Sequence, residues 1–390
     1  MAGVSLAVLS GAMVVFGRPA AADPGFVCED TSSGGGSGST APLNTAIACG
    51  IDDTASGIGS TAVGNDSTAS GTETTAFGNG AAAGGAYSLA IGNSANAAGE
   101  NSIAFGVDAA AVNGNDTALG NVANASGGNS TALGSAALAA GQYGTALGSV
   151  ANASGLASAA TGYLSKASGD YSTANGANAQ ANATSSIAIG GNAAGGAGKA
   201  AYVETTSTEG IAIGNGASVG GTTAGSTNAI AFGNSAAANG INAIAIGNGA
   251  SATLMNSVAL GQGSNTTGAS SLTGNPTNIT YNAGAVTAGS GDVVSVGGTT
   301  TATRQIQNVA AGAVTATSTD AVNGSQLYSL ATEITAIGAY VPVSANNTSG
   351  YGNPTSAGTD SLAVGYGANA AGNASTAIGE NSAATATDSS

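Results

Sequence analysis

The sequence predicts an all-β repeat protein: a parallel β-roll whose coils stack along one axis and whose outer face closes into a homo-oligomer. Three observations carry this reading. A four-residue phrase, x-Ala-hydrophobic-Gly, returns every fourteen residues. Ala stands two places before every phrase glycine, and the residue between them is large and apolar in most copies. Small residues dominate the rest, with 66 glycines in 390 residues. Strict periodicity of this kind marks one supersecondary unit stacked on itself.

The phrase glycines fall at Gly50, Gly64, Gly78, Gly92, Gly106, Gly120, Gly134, Gly148, Gly162, Gly176 and Gly190 in one register. They return at Gly214, Gly233, Gly247 and Gly261, and last at Gly365 and Gly379. Large and small residues alternate through the phrase, as in Ile103-Ala104-Phe105, and period two is a strand signature. A helix would lose stability at this density of glycine. Asn directly follows many phrase glycines, among them Asn65, Asn79, Asn93 and Asn121. Gly-Asn is read here as the positive-φ turn. A second glycine comes seven residues on, at Gly71, Gly85, Gly99 and Gly127. One period therefore holds two strands and two turns.

Such a unit cannot bury its own face, but stacked coils can, each strand pairing in parallel with its copy one repeat away. The run from Gly50 to Gly190 rises roughly 48 Å at ~4.8 Å per strand spacing. The Ala column faces the inside of a roll too narrow for larger side chains. The opposite face carries a ridge of Val63, Phe77, Ile91, Phe105, Leu119, Leu133, Leu147 and Ile189. A contiguous apolar patch of that length marks an interface, and a closed symmetric oligomer would bury it. Each Ile or Leu so buried contributes roughly 1.5–3 kcal/mol. Thr161 and Asn175 interrupt the ridge, either as defects or as an internal polar layer.

The flanking segments follow in chain order. Residues 1–22 read as a signal-peptide remnant: Val4 to Phe16 is apolar and Ala20-Ala21-Ala22 supplies a small-residue cleavage site. A short buried strand or helix is the other reading. Residues 23–45 form a Gly/Ser-rich linker. Cys28 and Cys49 leave two readings open, a disulfide in an exported protein or a buried thiol at Cys49. The roll occupies 46–270. The longer spacing before Gly214 reads as an exposed loop around Lys199 to Glu204. Residues 271–303 read as a small β-element closing the roll. In 304–338, Leu327, Leu330, Ile334 and Ile337 recur at spacings of three, four and three, an a/d seam. This short coiled coil stops at Gly338 and Pro342. A connector, 339–356, precedes a second repeat segment, 357–390.

Composition narrows the function. Net charge is −15 with only four basic side chains, Arg18, Lys166, Lys199 and Arg304. Such a chain repels phosphate backbones, which excludes nucleic acid. With no His, most acid–base and nucleophile–base arrangements are absent, so no enzyme, metal site or cofactor is expected. A Thr column at Thr117, Thr131 and Thr145 opens an alternative, an ice- or polysaccharide-binding solenoid. The same column also holds Leu89, Ile103 and Ile187, which speaks against a flat Thr face.

Three segments carry a resemblance. Asn256-Ser257-Val258-Ala259-Leu260-Gly261 resembles the head repeats of YadA-type trimeric autotransporter adhesins. Arg304 to Gly312 and Thr319 to Leu327, with Asp320 and Asn323, resemble that family's neck. The resemblance covers roughly 46–270, 304–338 and 357–384. It implies three parallel chains, each a left-handed parallel β-roll with a short coiled-coil neck, on the surface or outer membrane of a Gram-negative bacterium. It also implies attachment to host matrix protein such as collagen, to cells or to abiotic surfaces, with self-aggregation and biofilm formation. By the same resemblance, Asn256 to Gly261 is the ligand-binding candidate and Arg304 and Asp320 sit in the neck; their opposite charges make a pair between chains the expectation. Gly324 stands where the family often has a larger residue. The family's membrane anchor is missing from this stretch of chain, so any tie to the membrane would run through an anchor outside it.

Overall fold

The structure is a computed structural model that describes residues 7–9, 12–14, 26–28, 39–42, 45–192, 200–220, 225–266, 293–298, 303–315, 317–340 and 354–389. The chain divides into two compact units, 1–274 with 286–304, and 275–285 with 305–390. The first unit is a parallel β-roll. Each fourteen-residue coil contributes one three-residue strand, such as Thr131–Leu133, and one two-residue strand, such as Leu138–Ala139. Each long strand pairs in parallel with its copy one coil away, so Thr131, Ala132 and Leu133 stand beside Thr145, Ala146 and Leu147. Among the described residues, seventeen such strands form one ladder from Phe26–Cys28 to Val294–Ser295. Fifteen short strands form the second ladder, from Thr54–Ala55 to Asn265–Thr266. Upstream, Ala7–Leu9 pairs antiparallel with Ala12–Val14.

The core is a stack of small side chains. The phrase alanines, from Ala62 through Ala259, are wholly buried, as are Ala69, Ala83 and Ala97 of the short strands. Polar side chains fill the corners beside them: Ser60, Thr74, Ser102 and Ser186 are buried too. Two carboxylates join this row. Asp53 accepts from the Gly64 and Ser67 N–H groups, 2.8 Å each, and from Ser67 Oγ at 2.6 Å. Asp116 accepts from the N–H groups of Asn113 and Ser130 and from Ser130 Oγ. Three donors each satisfy a buried charge that would otherwise be costly.

The interior is less uniform than an all-Ala column. Val203 and Val219 are fully buried on adjacent coils. Gly210 makes the room: a Cβ there would lie 2.9 Å from a Cγ1 of each valine. Large and small residues thus exchange volume across the roll. The expected loop at Lys199 to Glu204 is corrected in part. Tyr202–Val203 is a short strand paired with Gln180–Ala181 and Ser218–Val219. Lys199 itself lies outside the described residues.

The turns correct another expectation. The Asn after each phrase glycine is not the residue with left-handed φ. The phrase glycine itself has positive φ, as at Gly134 (138°), and so do the second and ninth residues after it. These include Asp66, Val122, Asn115 and Tyr143, all near +55 to +60°. A left-handed residue other than Gly costs roughly 1–2 kcal/mol. The backbone holds it there by hydrogen bonds one coil back, such as Val122 N–H to Val107 O (2.8 Å) and Asn115 N–H to Glu100 O (2.8 Å). The Asn after the glycine serves the stack instead. Asn79 Nδ2 donates to Asn65 Oδ1 at 2.8 Å, and Asn93 Nδ2 to Asn79 Oδ1 at 3.0 Å.

The phrase glycines are also required by proximity. A Cβ on Gly134 would lie 2.5 Å from the Gly148 carbonyl oxygen in the next coil. Gly141 shows the same at the other turn, 1.9 Å from Gly155 O.

The expected β-element at 271–303 is described only over 293–298 and at Thr303. There Val294–Ser295 joins the long-strand ladder beside Val258–Ala259. Ile279, Tyr281 and Val286 lie outside the described residues. In the second unit, Gly324–Tyr340 is a helix. It continues through Gly338, two residues past the expected stop. Leu362–Val364 and Thr376–Ile378 form a short second roll with three two-residue strands, around buried Ala368, Ala370, Ala377 and Ala384.

Candidate functional site

The alternation that buries each phrase alanine turns its neighbours outward. On the isolated chain Phe77 is 55% exposed, Phe105 47%, and Leu119, Leu133, Leu147 and Ile189 close to 40%. Val63 and Ile91 are half-buried by the coils beside them. These eight residues form one line because parallel pairing places Ile91 beside Phe105 and Leu119 beside Leu133. Thr161 and Asn175 stand in the same outer line, half-buried and exposed respectively. On the single chain they interrupt the outer line with polar side chains. Thr117, Thr131 and Thr145 form the neighbouring outer column.

The phrase Asn256 to Gly261 is split between inside and outside. Ser257 and Ala259 are wholly buried, and Ser257 Oγ donates to Leu254 O at 2.7 Å. Asn256 is exposed with φ 55°, and its Oδ1 accepts from Asn242 Nδ2 at 2.9 Å. Val258 is half-buried, Leu260 is 45% exposed and Gly261 has φ 105°. A ligand could meet this phrase only through Asn256, Val258 and Leu260.

Arg304 reaches the last coil of the roll. Its guanidinium donates to Ser264 Oγ at 2.9 Å and to the carbonyls of Val296 and Gln262. A planar fork of donors suits a roll end, where carbonyls have no next coil to accept from. Asp320 accepts from the Ala313 N–H at 3.0 Å. Both residues therefore have partners within the chain.

The start of the helix is fixed by a pair that the sequence reading half missed. Asn323 is its N-cap, accepting from the Gln326 N–H at 3.2 Å, while Gln326 Oε1 accepts from the Asn323 N–H at 3.1 Å. This reciprocal pair is a capping box. Gln326 also accepts from the Gly312 N–H and donates to Gly312 O at 2.6 Å, and Asn323 Nδ2 donates to Val309 O. Two side chains thus tie Val309 and Gly312 to the start of the helix. The Asn-x-x-Gln spacing was the available signal. Gly324 is in open space, with nothing within 4 Å of an added Cβ. Leu327, Leu330 and Ile334 are 63%, 53% and 60% exposed on the single chain.

Cys49 is disulfide-bonded, and Cys28, the other cysteine of the chain, stands beside it in the parallel register. Among the described residues no group of three His, Cys, Asp or Glu could hold a metal, and no helix is long and apolar enough to cross a membrane. A cleft of about 450 Å³, lined by Asn178, Gln180, Ala200, Ala201, Tyr202 and Ser218, lies on the short-strand side.

Comparison with known proteins bears on both units. The family described as YadA head domain repeat (2 copies) matches residues 55–81, 83–109, 111–137, 167–193, 224–250, 255–272 and 356–382. The family described as coiled stalk of trimeric autotransporter adhesin matches 305–363. Together they span more than half of the chain. No curated protein sequence matches. Among solved structures, the C-terminal YadA-like domain of a Burkholderia pseudomallei protein is 36% identical, with a TM-score of 0.24. That match covers 29% of this chain and 55% of the other, so the chain spans about half of that relative. The collagen-binding domain of the Yersinia adhesin YadA is 20% identical over 71% of this chain and 85% of its own, with a TM-score of 0.17.

Proposed function

The chain belongs to the family of YadA-like trimeric autotransporter adhesins, and from that premise we propose that it is a multivalent adhesive fibre built as a homotrimer on the cell surface of a Gram-negative bacterium. The observation that carries the trimer is the unbroken outer line from Val63 to Leu147, apolar at every coil and largely exposed on one chain. Three chains that bring these lines together would bury them, and the exposed Leu327, Leu330 and Ile334 would meet their own copies in a coiled coil.

Adhesion then works by repetition. Each coil offers the same outward positions, and three chains multiply them, so weak contacts sum to avid binding. Host matrix protein such as collagen, other cells and abiotic surfaces are the partners proposed, with self-aggregation and biofilm formation as consequences. Leu260 continues the ridge column and would face the other chains, so Asn256 and Val258 are the phrase positions able to touch a ligand in the trimer.

Light scattering on the purified chain tests the assembly. A mass of three chains is expected, and Leu133→Asp should release single chains. An unchanged mass for Leu133→Asp would rule out the ridge as the interface. Adhesion is tested by binding to immobilised collagen and to bare plastic, where no retention on either surface would sink the adhesive reading.

A further inference from the structure

One edge of the roll carries tyrosines at a single place in the repeat. Tyr87, Tyr143 and Tyr171 each stand five residues before a phrase glycine, with φ of 59°, 60° and 57°. Their N–H groups donate one coil back, to Thr72, Gly128 and Leu156 carbonyls at 2.7–3.0 Å. The backbone is therefore held by the stack, and the side chain is left free. Asn is the residue that tolerates this conformation best among those with a side chain. It fills the same place at Asn101, Asn115 and Asn129, and again at Asn228, Asn242 and Asn256. Tyr is strained there and gains little packing, since the three are 54%, 57% and 60% exposed. Strained and exposed aromatics on a rigid scaffold point to an external partner.

Their spacing identifies the partner. From Tyr87 to Tyr143 is four coils, and from Tyr143 to Tyr171 is two. Both intervals are whole multiples of two coils, and two coils rise ~9.6 Å. That is the length of one disaccharide in an extended β-1,4-linked polysaccharide. Between Tyr87 and Tyr143 lie the exposed amides of Asn101, Asn115 and Asn129, with Asn115 Nδ2 bonded to Asn129 Oδ1 at 3.1 Å, and the small Ala157 stands between Tyr143 and Tyr171. Gly114 and Gly128 keep the adjoining positions low. The charged residues beside the column, Glu73, Glu100 and Asp170, are all acidic, which disfavours an acidic glycan.

We propose that this edge binds an extended neutral β-1,4-linked polysaccharide of the cellulose or chitin type. Sugar faces stack on Tyr87, Tyr143 and Tyr171, and sugar hydroxyls meet the amides between them. The proposal rests on the adhesive reading and deepens it by naming a ligand class.

The full chain is applied to microcrystalline cellulose and to chitin beads, which separates the two sources of the same chemistry. Retention on at least one is expected, with release by the matching soluble oligosaccharide. The triple variant Tyr87→Asn, Tyr143→Asn, Tyr171→Asn installs the residue that the repeat itself uses there, so its circular dichroism and mass should not change. Its retention should fall roughly tenfold or more, while Tyr143→Phe keeps binding. Deleting residues 144–157 removes one whole coil and sets Tyr171 one coil from Tyr143; this should also weaken retention. No retention of the unaltered chain, or equal retention of the triple variant, overturns the proposal. A drop in mass of the triple variant would also overturn it, since the rings would then join copies of this chain. Collagen and plastic binding are measured on the same variants, and their persistence when polysaccharide binding fails leaves the fibre reading intact.

Discussion

The long roll over residues 45–266 and the short roll over 354–389 are written in the same phrase, yet the phrase achieves different burial in each. In the long roll the phrase alanines are wholly enclosed and Leu133 is 38% exposed. In the short roll Ala363 is only partly buried, and Ile378 is 67% and Leu362 52% exposed. A Cβ on Gly134 would strike the next coil at 2.5 Å, whereas one on Gly379 meets nothing within 4 Å. The difference is the number of neighbours. A coil of this repeat has little stability of its own, and its packing accrues at the junction with the next.

Isolating the two regions is the strongest way to break that comparison. A fragment of residues 354–389 should show no cooperative melt by circular dichroism, while one of residues 39–304 should melt cooperatively. A cooperative transition in the short fragment would mean that two or three coils suffice. Paired glycine substitutions probe the junction itself. Gly134→Ala incurs both positive-φ strain, about 1–3 kcal/mol, and the clash with Gly148 O. Gly379→Ala incurs only the strain. Urea midpoints should therefore fall further for Gly134→Ala, and equal shifts would count against the junction argument.

Overpacking should follow the same order at smaller scale. Ala132→Leu should cost ~1–3 kcal/mol per copy, and Ala363→Leu visibly less, read as the loss of thermal midpoint. The smallest expected effect has the opposite sign. Val122 is β-branched at φ 57° and 49% exposed, so Val122→Asn should stabilise by about 1 kcal/mol. A lowered melting temperature for Val122→Asn would show that the valine is held by a contact outside the single chain.

Much of the fold was legible because one local rule is repeated many times. Alternation about Ala62 or Ala132 gave strand, face and parallel pairing, and each copy confirmed the last. The turns were less legible. Asn79 follows a glycine as turn residues do, but its amide bonds to Asn65 one coil away, and sequence alone does not separate the two uses. Exchange between distant positions was hidden too: Val203 and Val219 fit only because Gly210 faces them. The ridge could be read as outward from the alternation, whereas Gln326 needed the cap geometry to show that it holds both the helix start and Gly312. The tyrosine edge was missed because Tyr87, Tyr143 and Tyr171 share their place in the repeat with Asn in many other coils, so a fourteen-residue alignment averages them away.

The hydrogen bonds that run one coil back, such as Val122 N–H to Val107 O, have a mechanical consequence. From Gly50 to Gly190 the junctions repeat the same backbone bonds at fourteen-residue spacing, so this run, pulled from one end, has no single weak link. It yields a coil at a time, and each loss returns fourteen residues of slack, about 50 Å when drawn out. A tether that lengthens in equal steps dissipates a sudden load as work and keeps the remaining coils, and whatever they hold, in place.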